Sequence, residues 1–120
     1  MDERLEKALD FSNYMVTLNN QKRLANEQYN QDLVHYYKGG QFTVSQQLIS
    51  FCSTLAHNLS QDEVVLIDDN NTPISIESLD DFVSTIVNVY SDASNRYHTE
   101  YNKIKTNRST EGLVEWVKAF

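Results

Sequence analysis

Oxygen-bearing side chains at alternate positions are the first candidate for chemistry in this chain. The run DDNNTP places Asp68, Asn70 and Thr72 at the spacing of the first ligands of a calcium loop. An EF-hand would then need glycine at the position of Pro73 and glutamate at the position of Leu79. Because both positions fail, the sequence excludes an EF-hand and predicts no dedicated metal site.

Nucleophilic and zinc-binding patterns are also incomplete. Cys52 and His57 are five residues apart on one predicted helix, which places them on different faces. The three histidines lie on three separate predicted helices, without HxxxH, CxxC or ExxH spacing. Asp68 and Asp69 are expected to be solvated and ionised in a turn, whereas acid–base catalysis needs two carboxyl groups with separated pKa values. We therefore predict no catalytic residue, no metal and no cofactor.

The acidic charge is concentrated in one part of the chain. The 120 residues carry 17 Asp and Glu against 10 Lys and Arg, a formal charge of −7. Between Gly39 and Asn95 there are eight acids and no Lys or Arg. This balance disfavours nucleic acids and anionic membranes, which attract clustered cations. A basic protein partner or a divalent cation is compatible with it, and so is a charge that serves solubility alone.

Length and termini indicate one soluble domain. A chain of 120 residues is the usual size of a single domain, here 1–120. Its N-terminus, MDERLEKALD, has no apolar core of a signal peptide, and no 18 consecutive apolar residues occur. A single cysteine fits a reducing compartment. We predict a cytoplasmic protein.

Helical patterns flank a short region of β-type sequence. A helix is predicted over 3–38, ended by Gly39 and Gly40, with a break at Asn19–Asn20 as the main alternative. A short strand over 41–44 follows. Ser45 is then expected to cap a largely buried core helix over 46–58.

The second half of the chain is predicted to contain a hairpin and two helices. The hairpin covers 64–76, with a loop of five or six residues, and 41–44 is the candidate third strand of its sheet. Ser78 caps a helix over 79–105 that carries a near-heptad apolar seam rich in tyrosine. A short amphipathic helix over 111–119 docks on its own chain or on a partner.

The segment GGQFTVSQQLISF, residues 39–51, resembles a stretch in uncharacterised small proteins of tailed marine phages. The resemblance covers about residues 10–54. It implies a phage origin, and hence the host cytoplasm or the virion, but it brings no activity and no functional residue to this chain.

Together these patterns predict a mainly helical α+β fold. It consists of two long helices, a shorter core helix, a small antiparallel hairpin and a short C-terminal helix. Because the apolar seams of the long helices exceed what a small domain can cover, we expect a homo-oligomer.

The leading hypothesis for function is a non-catalytic interaction or assembly protein that presents its acidic hairpin to a basic partner. The alternatives are an acidic inhibitor that mimics nucleic-acid charge, and a small enzyme with a site between the long helices. The inhibitor is disfavoured because the acids cluster around a hairpin instead of lining a helix. The enzyme would use residues such as Tyr97, His98 and Tyr101. The candidate partner-binding residues are Asp68, Asp69, Asp80, Asp81, Trp116 and Phe120.

Overall fold

The secondary structure confirms the predicted α+β class with a majority of helix. The computed structural model describes residues 2–107, so the predicted helix over 111–119, with Trp116 and Phe120, lies outside the described residues. In chain order the elements are α1 Glu3–Asp32, β1 Val34–Tyr37, β2 Gly40–Thr43, α2 Gln46–Asn58, β3 Val64–Ile67, β4 Pro73–Ile76 and α3 Leu79–Asn107.

The contacts within the chain divide it into two compact units. The first, the helical unit, contains α1 up to Gln28 and α3 from Arg96 onward. The second, the mixed unit, is Tyr29–Asn95 and contains α2 and all four strands. The organisation of 1–120 as a single domain stays a prediction.

The first helix ends six residues earlier than predicted. α1 is continuous through Asn19–Asn20, but it stops at Asp32, and the sequence VHYY that follows forms β1. Lys38 and Gly39 both have positive φ, 48° and 80°, as a two-residue type I′ hairpin turn requires. Gly39 therefore belongs to a hairpin turn and Gly40 begins β2, so the prediction of helix over 33–38 is wrong. β-Branched and aromatic residues favour a strand once a turn lets them pair.

The four strands form two separate antiparallel hairpins. β1 pairs with β2, with His35 opposite Phe42, so the prediction that residues 41–44 join the other hairpin as a third strand is wrong. β3 pairs with β4 as predicted, with Val65 opposite Ser75 and a five-residue loop, 68–72, between the strands. In addition, the backbone N–H of Asp69 in this loop donates to the carbonyl of Gln41 in β2 at 2.8 Å.

The core of the mixed unit lies where both hairpins, α2 and α3 contribute apolar side chains. Phe82 of α3 is 3% exposed and contacts three rings of the first hairpin, with centroid distances of 6.0, 5.7 and 5.3 Å to His35, Tyr37 and Phe42. Cys52 is fully buried, as predicted, and burial raises the pKa of its thiol. The most buried large side chains are Phe42, Val44, Cys52, Ile76, Leu79 and Ile86.

The helix α2 is less buried than its sequence predicted. Cys52 is its buried residue, whereas Phe51 and Leu59 are 56% and 45% exposed. At 100° per residue its apolar side chains span an arc of roughly 160°, wider than the stripe that one core contact covers. The helix packs on the core as predicted, through Cys52 and the partly buried Leu48, Ile49, Leu55 and Ala56. The expectation that it is largely buried is wrong, because part of its apolar surface faces outward.

The near-heptad seam of α3 is mostly covered within the chain. Leu79, Ile86, Ala93 and Ile104 are all less than 9% exposed. Tyr101, at 44%, is the exception in the tyrosine-rich half. The expectation that this seam is left exposed for a second copy is therefore wrong.

Gly40 of the first hairpin lies against Ile74 of the second, and alanine at this position should be destabilising. An added Cβ would lie 2.6 Å from Cγ1 of Ile74 and 3.2 Å from the carbonyl oxygen of Tyr37. We expect Gly40→Ala to lower the free energy of unfolding by about 1–3 kcal/mol through overpacking, measured by urea denaturation.

A double-mutant cycle distinguishes overpacking from a general loss of flexibility. Ile74→Ala removes the clashing atoms, so the effects of Gly40→Ala and Ile74→Ala should be less than additive. Strictly additive effects would show that the close approach of these two residues is not the cause.

Candidate functional site

Asp68 is a buried structural carboxylate rather than a solvated turn residue. It is 6% exposed, and its Oδ1 accepts hydrogen bonds from the backbone N–H groups of Asn70 at 3.0 Å and Thr72 at 2.8 Å. Its Oδ2 accepts from the backbone N–H of Gln41 in β2 at 3.0 Å. The expectation that Asp68 is solvated is wrong, because the loop folds back so that its own amides surround the carboxylate.

These hydrogen bonds also set the acidity of Asp68. The bond from Gln41, followed by that from Thr72, holds the pKa of the Asp68 carboxyl below its usual range. The carboxylate is therefore ionised at neutral pH and fixes the hairpin loop to β2. Its role in the mixed unit is to join the two hairpins.

Asp69 is exposed, but its side chain also contacts β2. Its Oδ2 accepts hydrogen bonds from the side-chain hydroxyl of Thr43 and from Nε2 of Gln41, the latter at 3.3 Å. Of the two loop acids, Asp69 is therefore the one with a carboxylate accessible to a partner.

The acids at the start of α3 form an exposed cluster. Ser78 caps the helix as predicted, since its Oγ accepts from the N–H of Asp81 at 3.4 Å. Asp62 lies beside this end, and its Oδ1 accepts from the N–H of Asp80 at 3.2 Å. Asp62, Asp80 and Asp81 are all exposed. Their carboxylates complement the positive end of the helix dipole while remaining accessible to solvent.

The mixed unit as a whole is strongly acidic. Its sequence contains nine Asp and Glu residues and one lysine, Lys38, a formal charge of −8. Lys38 forms an ion pair with Glu77, and the hydrogen bond from its ammonium group lowers the pKa of the Glu77 carboxyl. The exposed acids of this unit from residue 62 onward are Asp62, Glu63, Asp69, Glu77, Asp80, Asp81 and Asp92.

An open groove lies between α2 and β3 on this unit. Phe51, Leu55 and Leu59 form one wall at helical spacing, and Val64 and Val65 lie on the strand side. Val65 is 62% exposed. The exposed polar lining residues, which we call its rim, are Gln61, Asp62, Glu63 and Ser75. The volume of the open groove is about 910 Å³. We call it the α2–β3 groove.

No family model, curated protein or solved structure matches this chain. The assignment of a function therefore rests on the surface of the chain. No helix among residues 2–107 is long and apolar enough to cross a membrane. In the same part of the chain, no three His, Cys, Asp or Glu side chains are grouped so that they could hold a metal ion.

The residues considered for an enzyme site lie on the C-terminal part of α3. The hydroxyl of Tyr97 accepts a hydrogen bond from Nδ2 of Asn26 at 3.3 Å, and its ring packs edge-on against Tyr101 at 6.4 Å. His98 is exposed, and its Nε2 lies 3.2 Å from Nδ2 of Asn102 on the same helix. These contacts are those of a polar helix surface, so they assign no catalytic role to the three residues.

The α2–β3 groove is lined by residues that are not among the predicted partner-binding residues. The prediction of a largely buried helix over 46–58 places Phe51 and Leu55 in the core, whereas both line the groove together with Leu59 and Val65. The available signal was the width of the apolar arc on α2, which exceeds what one core contact covers. Of the two loop acids among the predicted partner-binding residues, Asp68 binds backbone amides of its own chain.

Proposed function

We propose that this chain is a non-catalytic interaction protein that binds a basic partner through the acidic surface of its mixed unit and associates with further copies of itself. The observation that carries the proposal is the formal charge of −8 on Tyr29–Asn95, with most of its carboxylates exposed. The resemblance of residues 39–51 to phage proteins supports a role as an assembly or accessory protein of a phage.

Electrostatics explains why such a surface favours a cationic protein. A concentration of one sign of charge speeds the encounter with oppositely charged partners and repels anionic surfaces such as nucleic acids. The Lys38–Glu77 ion pair uses the one lysine in the unit, so little positive charge offsets this field.

Binding of a basic partner can be tested by neutralising two acids on each unit. We expect Asp80→Asn/Asp81→Asn to reduce salt-sensitive capture of basic proteins from a lysate by severalfold, because both carboxylates are exposed on the acidic unit. Glu6→Gln/Asp10→Asn makes the same change in net charge on the helical unit and should have little effect. Captured proteins are identified and quantified by mass spectrometry.

Equal losses of capture in the two double variants would show that binding depends only on the net charge of the chain and not on the acidic surface of the mixed unit. Capture that shows no preference for basic proteins would contradict the proposal.

An exposed apolar stripe on α1 supports self-association. Leu5, Leu9 and Val16 are 50%, 46% and 56% exposed. At 100° per residue they fall within about 40° of one another. Leu18, which is buried, lies roughly 160° away on the opposite side of the helix. The stripe is therefore an apolar face in addition to the one that α1 buries within its own chain.

The self-association proposal predicts a mass greater than that of the monomer. At micromolar concentration, light scattering should give at least twice the 13.9 kDa of one chain. Leu9→Gln/Val16→Gln should shift the protein to the monomer, since it places two polar side chains in the apolar stripe. Leu24→Gln is the control, because Leu24 is equally exposed but lies outside the stripe. A monomeric wild-type chain would contradict the proposal.

A further inference from the structure

We propose that the α2–β3 groove is the docking site for a basic amphipathic segment of the partner protein, which inserts apolar side chains into the groove and places Lys or Arg at its rim. This inference rests on the proposed function and adds to it the contact site and the chemistry of the bound segment. It combines two independent properties of the groove, its apolar lining and the charge around it.

The apolar lining provides the surface that a partner would bury. Phe51 and Leu59 are 56% and 45% exposed, and Val65 is 62% exposed on the outward face of β3. These side chains line one open groove together with Leu55. Exposed apolar side chains that meet in a groove are typical of peptide-binding sites, unlike the same residues scattered singly.

The size and the lining of the groove suit a short helical segment. Its volume of about 910 Å³ accommodates several side chains of a peptide. The spacing of Phe51, Leu55 and Leu59 along α2 gives a row of contacts against which another amphipathic helix can pack. A partner helix would fill this row with residues at positions i, i+3 or i+4, and i+7.

The charge around the groove favours cations on the bound segment. Asp62 and Glu63 form part of its rim, and no Lys or Arg occurs between residues 39 and 95. The C-terminal end of α2 lies at the same place, because Leu55 and Leu59 belong to its last turn and cap. A helix C-terminus carries partial negative charge and favours a nearby cation. The carboxylates of the rim and the C-terminal end of α2 therefore both produce a negative electrostatic potential at the groove.

The same charge argues against a second copy of the groove as its occupant. In a two-fold symmetric dimer through this surface, Asp62 and Glu63 would face the same acids of the partner copy. Like charges across an interface cost free energy. The self-association proposed for α1 involves other residues, so the two surfaces can be tested separately.

The test uses the full chain and three synthetic peptides. The probe is a fluorescein-labelled peptide with Leu and Phe along one helical face and Lys along the other. One control peptide replaces its apolar residues with Gln, and the second replaces Lys with Glu. Fluorescence anisotropy measures binding. We expect the probe to bind at least about tenfold more tightly than either control peptide.

Protein variants locate the bound peptide. Phe51→Gln/Val65→Thr alters two exposed lining residues and should weaken binding of the probe by about tenfold. Val87→Thr is the matched control, since Val87 is exposed on α3 and does not line the groove. Glu63→Gln should weaken binding by about threefold at low salt and less at high salt. Circular dichroism verifies that each variant is folded.

The outcomes separate this inference from the proposed function. Tight binding of the probe with equal affinity for wild type and Phe51→Gln/Val65→Thr would overturn the groove as the docking site and leave the acidic interaction surface in place. Equal binding of the basic peptide that lacks apolar residues would overturn the amphipathic requirement alone. Binding of neither basic peptide would overturn both the docking site and the proposed basic partner.

Discussion

Replacing Phe82 with alanine is expected to lower the free energy of unfolding by about 3–5 kcal/mol. Phe82 is 3% exposed, and its ring lies within 5.3–6.0 Å of three rings of the first hairpin, those of His35, Tyr37 and Phe42. The substitution removes buried apolar surface and leaves a cavity between α3 and the hairpin. It also removes aromatic pairs that stabilise beyond their buried area.

Urea denaturation followed by circular dichroism measures this effect. Phe51→Ala is the control, because the same change at a side chain that is 56% exposed should cost no more than about 0.5–1 kcal/mol. Equal destabilisation by the two substitutions would contradict the arrangement in which Phe82 is central to the core and Phe51 faces the groove.

Asp68→Asn is expected to be the most destabilising single neutralisation among the acids of the mixed unit. The carboxylate accepts three backbone hydrogen bonds, from Gln41, Asn70 and Thr72. Asparagine has one acceptor oxygen, so its amide group would place a donor against one of these N–H groups. We expect the melting temperature to fall by several degrees, because one of these buried backbone N–H groups would lose its acceptor.

The same carboxylate predicts a dependence on pH. Since the backbone bonds lower the pKa of folded Asp68, the stabilisation it provides is complete above its unfolded-state pKa, near 3.8, and is lost as the pH falls through the folded-state pKa. The wild-type chain should therefore lose this contribution only in acid. In Asp68→Asn it is absent at every pH, so the difference between the two melting temperatures should shrink as the pH falls below about 3.8.

Asp92→Asn and Asp80→Asn provide the comparison for this prediction. Both residues are exposed, and neither carboxylate accepts hydrogen bonds from the amides of its own loop as that of Asp68 does. Their melting temperatures should remain close to that of the wild type at neutral pH. The buried carboxylate does not hold the loop if the melting temperature of Asp68→Asn falls no further than those of the two comparison variants. The same conclusion follows if its difference from the wild type persists unchanged in acid.

Asp68 and the exposed acids have different roles in the acidic region: some acids support the fold, and others are accessible to a partner. Asp68 joins the hairpins, and its neutralisation would reduce partner binding through loss of structure. Asp80 and Asp81 remain exposed at the start of α3. Experiments on binding should therefore neutralise Asp80 and Asp81 and leave Asp68 in place.

The amino-acid sequence determined those elements whose signals are local. Ser45 accepts a hydrogen bond from the N–H of Leu48 at 3.1 Å, and α2 begins at the next residue as predicted. The β3–β4 hairpin and the start of α3 behind Ser78 also follow from residues close in sequence, since turn and capping side chains bond to neighbouring backbone. The concentration of acids between residues 39 and 95 is likewise a property of the sequence.

Only the tertiary structure decided how these elements are used. The VHYY sequence forms a strand because the positive φ angles at Lys38 and Gly39 return the chain so that β1 and β2 pair. Asp68 is buried because its carboxylate meets an amide 27 residues away in β2. Phe51 faces a groove because the packing of α2 covers only part of its apolar arc. The burial of Asp68 and the outward position of Phe51 depend on contacts between residues distant in sequence, which a local pattern does not specify. The β1–β2 hairpin depends instead on the conformation of its two-residue turn, since Gly39 could equally end a helix.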